Sequence, residues 1–285
     1  MSKRPTNVTH GRPPKEGVRQ LFTLAAVRSS IRAPRWFLAN LRQGPEWVRS
    51  RQHPLDPGAL DKFGVSETTA GARVLGLSES RYRDLAAAVW IPEPDPHDPL
   101  AVWNARREML RLVGVAVREL RPAVVVETGV ARGFSSATIL AALRDHGNGR
   151  LHSIDLPAIQ YETDVDIGAA VPLQLRHGWD LRLGDSRKAL PRLLDDVGVV
   201  DLFLHDAAHT YGAQFREYRT VWPYLRPGGL LISDDINNSA FLEFADSVSE
   251  TPVLVSGGSR DAPFGVLRRS QGAPVPGHRE ATTSR

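Results

Sequence analysis

From Pro99 to about Arg268 the chain alternates short apolar runs with stretches whose apolar positions recur every three or four residues. A helix-like stretch from Ala101 to Leu120 leads into Val124-Val125-Val126. Helical spacing resumes from Ser135 to Arg144, with Ser135 or Ser136 able to cap its start and Gly147 past its end. Further apolar runs follow at Leu151–Ile154, Leu181–Leu183, Val200–Leu204 and Leu230–Ile232, with helical stretches such as Arg187–Leu194 and Gly212–Leu225 between them. In the latter, Phe215, Tyr218, Trp222 and Leu225 share one face and are expected in the core. Short apolar strands alternating with helices predict a mostly parallel sheet covered on both faces. Val253-Leu254-Val255 and Gly265-Val266-Leu267, joined by a Gly/Ser/Asp/Pro segment, read as a terminal hairpin.

Upstream, Pro92, Pro94, Pro96 and Pro99 discourage helix and mark a domain boundary. Ahead of them Leu21, Leu24, Ala25, Val27, Ile31, Phe37, Leu38 and Leu41 lie among arginines in two helix-like stretches split near Pro34. The spacing suits either a basic amphipathic surface helix or a helical cap over a binding site. Residues 1–18 and 270–285 are poor in large apolar groups and are expected to be disordered or flexible. The expected organisation is therefore a helical arm or cap over 19–98 and one α/β domain over 99–269.

The chain has no cysteine, which excludes disulfides and thiol nucleophiles and leaves any metal to oxygen or imidazole ligands. No run of 18 apolar residues and no signal-type N-terminus is present, so a cytoplasmic protein without a membrane span is expected. The net charge of +4 conceals an asymmetry: residues 1–60 hold eleven Lys/Arg against three Asp/Glu, and the remainder sums to −4. Such an arm can attract phosphates or anionic lipid, or pack on its own domain or a second subunit of a homo-oligomer.

The first strand of the domain ends in Glu127-Thr128-Gly129-Val130-Ala131-Arg132-Gly133 and runs straight into a helix. Open α/β sheets bind ligands at such carboxyl ends, and Gly129 and Gly133 let a backbone approach closely. A carboxylate stands where the first glycine of a dinucleotide turn would be, which disfavours pyrophosphate and a nicotinamide oxidoreductase. It favours a cationic ligand, although the same glycines also suit a purely structural turn. Asp155, 22 residues beyond Gly133, ends the second strand, where ribose hydroxyls are bound in nucleotide-binding units. The third strand ends in Gly184-Asp185-Ser186, where an acid and a hydroxyl either receive an adenine amino group or cap the next helix. The fourth and fifth strands lead to Asp206, His209, Asp234 and Asp235. Three carboxylates brought together repel unless one is protonated or a cation joins them, and Mg²⁺ suits oxygen ligands.

Residues 124–136, 151–156, 181–186, 200–211 and 227–236 together resemble the motif series of class I S-adenosylmethionine-dependent methyltransferases, in the metal-dependent O-methyltransferase subgroup that includes macrocin-type and cephalosporin-hydroxylase-like proteins. The resemblance implies a doubly wound, mostly parallel, seven-stranded Rossmann-like sheet with an N-terminal helical extension. It implies S-adenosylmethionine at Glu127, Thr128, Gly129, Gly133, Ser135, Ser136, Asp155, Gly184, Asp185 and Ser186. It also implies a divalent cation, Mg²⁺ first, on Asp206, Asp234 and Asp235, with His209 as general base and Asp206 beside it in catalysis. Some relatives carry Glu-Asp or Asp-Asn where this chain has Asp234-Asp235, and the shorter Asp234 side chain suggests coordination through water. The expected acceptor is a hydroxylated sugar or other small metabolite. A nucleic-acid methyltransferase is disfavoured because Asp206-Ala207-Ala208-His209 lacks the prolines and aromatic that would hold a flipped base. A non-catalytic cofactor-binding protein is the remaining alternative.

Overall fold

The computed structural model describes residues 44–95, 97, 105–157, 167–256 and 262–271. The helical stretches expected between Leu21 and Leu41 lie outside these residues, as do the first 18 residues and all but the start of the expected C-terminal tail. Four short helices come first: α1 (Gly44–Ser50), α2 (Ala59–Phe63), then, after the two-residue strand β1 (Gly64–Val65), α3 (Glu67–Leu75) and α4 (Glu79–Ala87). Ser66 and Ser78 cap α3 and α4, their hydroxyls accepting the amides of Thr69 and Arg81 at 3.2 Å. Past the prolines the chain alternates: α5 (Arg107–Leu120), β2 (Val124–Thr128), α6 (Phe134–His146), β3 (Arg150–Asp155), β4 (Trp179–Leu183), α7 (Ser186–Val197), β5 (Val200–His205), α8 (Tyr211–Val221), β6 (Leu225–Ser233), α9 (Ala240–Ser247), β7 (Val253–Val255) and β8 (Phe264–Arg268).

All eight strands form one sheet in the order β1-β7-β8-β6-β5-β2-β3-β4, parallel except for β8, which runs against both β6 and β7. Seven of these are the strands the sequence pattern anticipates, the β7–β8 hairpin included. The eighth, β1, pairs with β7 through Gly64 and Val65 alone, too short a run to register as an apolar segment. Successive residues of each strand face opposite ways and supply two cores. Val125, Leu202, Leu204, Leu230 and Ile232 face α5, α6 and the α3 residues Ala70 and Val74. Val126, Phe203 and Leu231 face α7, α8 and α9 on the other side, where Tyr218 and Leu225 are buried and Phe215 and Trp222 pack partly exposed.

Two local expectations are corrected. Gly133, not a serine, occupies the N-cap of α6, and Ser135 and Ser136 lie buried in its first turn. Of the helix expected from Ala101, residues 101–104 lie outside the described residues, Ala105 and Arg106 are not helical, and α5 starts at Arg107. Gly147 does end α6, in a left-handed conformation with φ 74°. No helix among the described residues is long and apolar enough to cross a membrane.

α3 packs so closely on α4 that a methyl group on Gly71 would lie 1.9 Å from the Tyr82 ring. Tyr82 is itself fully buried and donates its hydroxyl to Glu67 at 2.9 Å. Gly71→Ala should therefore destabilise the protein by about 1–3 kcal/mol through overpacking, read as a lower midpoint in urea unfolding.

Candidate active site

The order of the sheet reverses at β2, which lies between β3 and β5, and the acids singled out in the sequence lie at the carboxyl ends of these strands and their neighbours. The turn after β2 is built for close approach. Gly129 has φ 84°, and a Cβ there would meet the Asp206 carbonyl at 2.0 Å; Gly133 has φ 85° and is pressed against Gly168. The amide of Asp206 in turn donates to the Thr128 carbonyl at 2.7 Å. The turn and the loop after β5 are thus in direct backbone contact.

Glu127 is fully buried beneath this turn. Ser136 and Ser153 donate to its Oε2 at 2.6 and 2.7 Å, while Oε1 has no hydrogen-bond partner among the described residues. Burial raises its pKa against the opposing hydrogen bonds of Ser135, Ser136 and Ser153, with the charge of Asp155 adding to the rise. Asp155 accepts the amides of Val130 and Ala131 at 2.9 and 2.8 Å, so it fastens the turn from the adjacent strand. Burial pushes its pKa up to about 6, although the amides of Ala131, Val130 and Leu156 favour the charged form. Buried Glu127, half-buried Asp155 and the bare glycines together form an acid-lined cradle at the end of β2.

Several expected contact residues have partners within the protein. Ser135 and Ser136 serve Glu127. Thr128 donates to Glu217 at 2.6 Å. Asp185 caps α7, accepting the Arg187 amide at 3.0 Å, and is clasped by the Arg187 guanidinium, which holds its carboxyl below the usual range against the cost of burial. Gly184 donates its amide to the Asp155 carbonyl at 2.7 Å, and Ser186 opens α7 and bonds to Glu217.

The second half of the site gathers Asp206, His209, Asp234 and Asp235. His209 lies between two acids, its Nε2 3.4 Å from Asp206 and its Nδ1 3.3 Å from Asp235. Burial opposes charge on the ring, but Asp206, Asp235 and Asp234 outweigh it and raise the His209 pKa. Burial, joined by the charges of Asp234 and Asp235, pushes Asp206 up to about 7 against the opposing effect of His209. Asp235 holds a left-handed φ of 45°, a conformation Asp tolerates better than most residues.

Sequence reasoning missed two groups here. Arg106, just ahead of α5, places Nε 2.9 Å from Asp234 and a terminal nitrogen 2.7 Å from Asp235. Nothing local could signal this, because the partners lie more than a hundred residues away. Glu217 had a visible signal: it sits on the stripe Gln214, Glu217, Tyr218, Val221 that α8 buries, where an acid demands a partner. It finds Thr128, Ser186 and His205, whose Nδ1 is 2.8 Å away. Those contacts, His205 foremost, hold its pKa low despite complete burial.

The expected cation does not fit this arrangement. No three His, Asp or Glu side chains among the described residues are placed to hold a metal ion, and the guanidinium of Arg106 lies at ion-pair distance from both Asp234 and Asp235.

Strand order, the reversed β8 and the glycine turn at the switch point make this a Rossmann-like, mostly parallel α/β sheet. Residues 126–236, from within β2 to just past β6, match the family model of a methyltransferase domain. Solved structures with similar folds include an O-methyltransferase from Bacillus cereus in complex with S-adenosylhomocysteine (14% identity, 69% of this chain and 90% of that one, TM-score 0.47). Another is the O-methyltransferase TomG of Streptomyces achromogenes, involved in tomaymycin synthesis and bound to S-adenosylmethionine (15% identity, 79% and 95%, TM-score 0.49). A methyltransferase from Podospora anserina is a third (14% identity, 67% and 94%, TM-score 0.47). No curated protein matches the sequence.

Removing one partner from a buried hydrogen bond typically costs roughly 1–3 kcal/mol, and Glu217→Ala, which strips Thr128 and His205 of theirs, should lower stability by at least that much in urea unfolding. A loss below about 1 kcal/mol, the worth of an ordinary hydrogen bond, would mean that Glu217 does not hold the ends of β2 and β5 together.

Proposed function

We propose that this protein is a class I S-adenosylmethionine-dependent methyltransferase that moves the methyl group of its cofactor to a hydroxyl oxygen of a small molecule, a sugar or other secondary metabolite. The observation that supports this best is the backbone contact between Gly129 and Asp206, which joins the acid-lined turn to the loop bearing His209. When bound, S-adenosylmethionine supplies a methyl group on a positively charged sulfur. Glu127 and Asp155 provide negative charge near it, and Gly129 and Gly133 leave room for it. Gly184, Asp185 and Ser186, at the end of β4, flank the adenosine side in this reading.

His209 would accept the proton of the acceptor hydroxyl at Nε2, which makes no hydrogen bond among the described residues, as the hydroxyl oxygen attacks the methyl carbon. Asp206 and Asp235, on either side of the ring, orient it and stabilise the imidazolium that forms. Carbon–oxygen bond formation accompanies carbon–sulfur cleavage, and the proton ends on His209. Holding two reactants in line can by itself contribute about 7–11 kcal/mol in favourable cases. Magnesium, expected from the acid cluster, has no step in this reading, since the residues present do not fit it.

Two measurements test the assignment. Asp155→Ala leaves the amides of Val130 and Ala131 without their acceptor, and losing a charged hydrogen-bond partner costs about 1.5–3 kcal/mol. S-adenosylmethionine binding, followed by calorimetry, should therefore weaken about tenfold or more; wild-type affinity would remove Asp155 from the cofactor site. His209→Ala and His209→Gln should lower methyl transfer from labelled cofactor by about 10²–10⁴-fold with cofactor affinity intact. A deficit under about tenfold would leave the histidine only an orienting role.

A further inference from the structure

Arg106 is buried, with 7% of its surface exposed, and its guanidinium is held from two separate parts of the chain. Nε faces Asp234 at 2.9 Å, one terminal nitrogen faces Asp235 at 2.7 Å, and the other donates to the carbonyl of Ala262 in the segment before β8. The Phe264 ring lies 5.9 Å from the guanidinium carbon on a further side. A guanidinium stays protonated at any working pH, so this is a permanent positive charge fixed among the acids at the ends of β5 and β6.

We propose that Arg106 is the resident cation of this acid cluster, occupying in this chain the place that a divalent metal would otherwise take. The charge argument follows from distance. Asp234 is fully buried and Asp235 half-buried beside it, and carboxylates withdrawn from water in this way need a cation near them. Arg106 supplies it at ion-pair distance to both. A divalent ion bridging the same two carboxylates would lie only a few ångströms from the guanidinium, where like charges repel. Displacing Arg106 would strip its contacts to Asp234, Asp235 and Ala262 together and leave a buried guanidinium without a counter-ion. The planar guanidinium also does what a spherical ion would not: it ties α5 to the ends of β6 and to the start of β8, and so fixes Asp235 against His209. Arg106 is on this account a positioning residue. Its role in turnover rests on the proposed methyl transfer, whereas its exclusion of metal does not.

The test is metal binding by the full-length protein after exhaustive chelation, titrated with Mn²⁺ alone and followed by the electron paramagnetic resonance of the free ion. Wild-type protein and Arg106→Lys should take up no stoichiometric Mn²⁺ in the micromolar range, and chelation should leave the melting temperature of the wild type unchanged. Arg106→Gln, which keeps the length and removes the charge, should bind Mn²⁺ at least about tenfold more tightly than wild type, a change of about 1.4 kcal/mol. Adding Asp235→Asn to it should abolish the gain. Should Arg106→Gln fail to fold by circular dichroism, the wild-type and Arg106→Lys titrations decide alone. Stoichiometric Mn²⁺ on the wild type that Asp235→Asn removes would overturn the proposal, as would a folded Arg106→Gln that binds no better than wild type. Failure of the methyltransferase reading would show elsewhere, as absent S-adenosylmethionine binding in calorimetry.

Discussion

The carboxylate of Glu217 has no access to water, and the rest of the site is arranged around the need to satisfy it. Thr128 at the end of β2, His205 at the end of β5 and Ser186 at the start of α7 all converge on it from different elements. A buried charge with three partners tolerates little displacement of any of them, since each lost contact leaves desolvated charge behind. The carboxyl ends of the two central strands are therefore locked together from below, on the α8 side. The residues immediately after them, Gly129 and Asp206, inherit that register, and their backbones touch. What lies above the sheet is held in register by polar contacts made beneath it.

This explains why so many of the polar residues at the strand ends turn inwards. Ser136 and Ser153 serve Glu127, Asp155 fastens the glycine turn, and Arg187 clasps Asp185. Each is a structural contact made by a residue whose type also suits ligand binding. The two uses are compatible: an acid that anchors a turn by its amides still presents a negative surface to whatever enters above it. The cost of keeping these acids desolvated appears in the raised pKa values of Glu127, Asp155 and Asp206.

Most of the sheet was legible because its signal is local and repetitive. Runs such as Val124-Val125-Val126 and Leu230-Leu231-Ile232 are buried on both faces, so every position is apolar. The acids at strand ends stood out for the same reason, as charge directly following unbroken hydrophobicity. What escaped was non-local or too short. β1 is two residues long and exists only because β7 offers it an edge. Arg106 read as one more charge in a helical stretch, since its partners come from β6 and the segment before β8. The serines of α6 suggested a cap by residue type, but Gly133 had taken that position, being able to adopt φ 85° where the turn meets the helix. Residue type ranks the candidates for a role, and tertiary contact chooses among them.

The pairing of β1 with β7 bears on how the chain acquires its fold during synthesis. Gly64 sits opposite Leu254, a separation of 190 residues (254 − 64), so this edge waits until almost the whole chain has left the ribosome. Contacts so distant in sequence form late, after shorter loops have closed. At ordinary elongation rates of about 5–20 residues per second, the helices around β1 spend on the order of ten seconds or more beside a nascent sheet whose partner strand does not yet exist. Over that interval Ala70 and Val74 of α3 lack the cover that Val253, Val255, Phe264 and Val266 give them in the finished core.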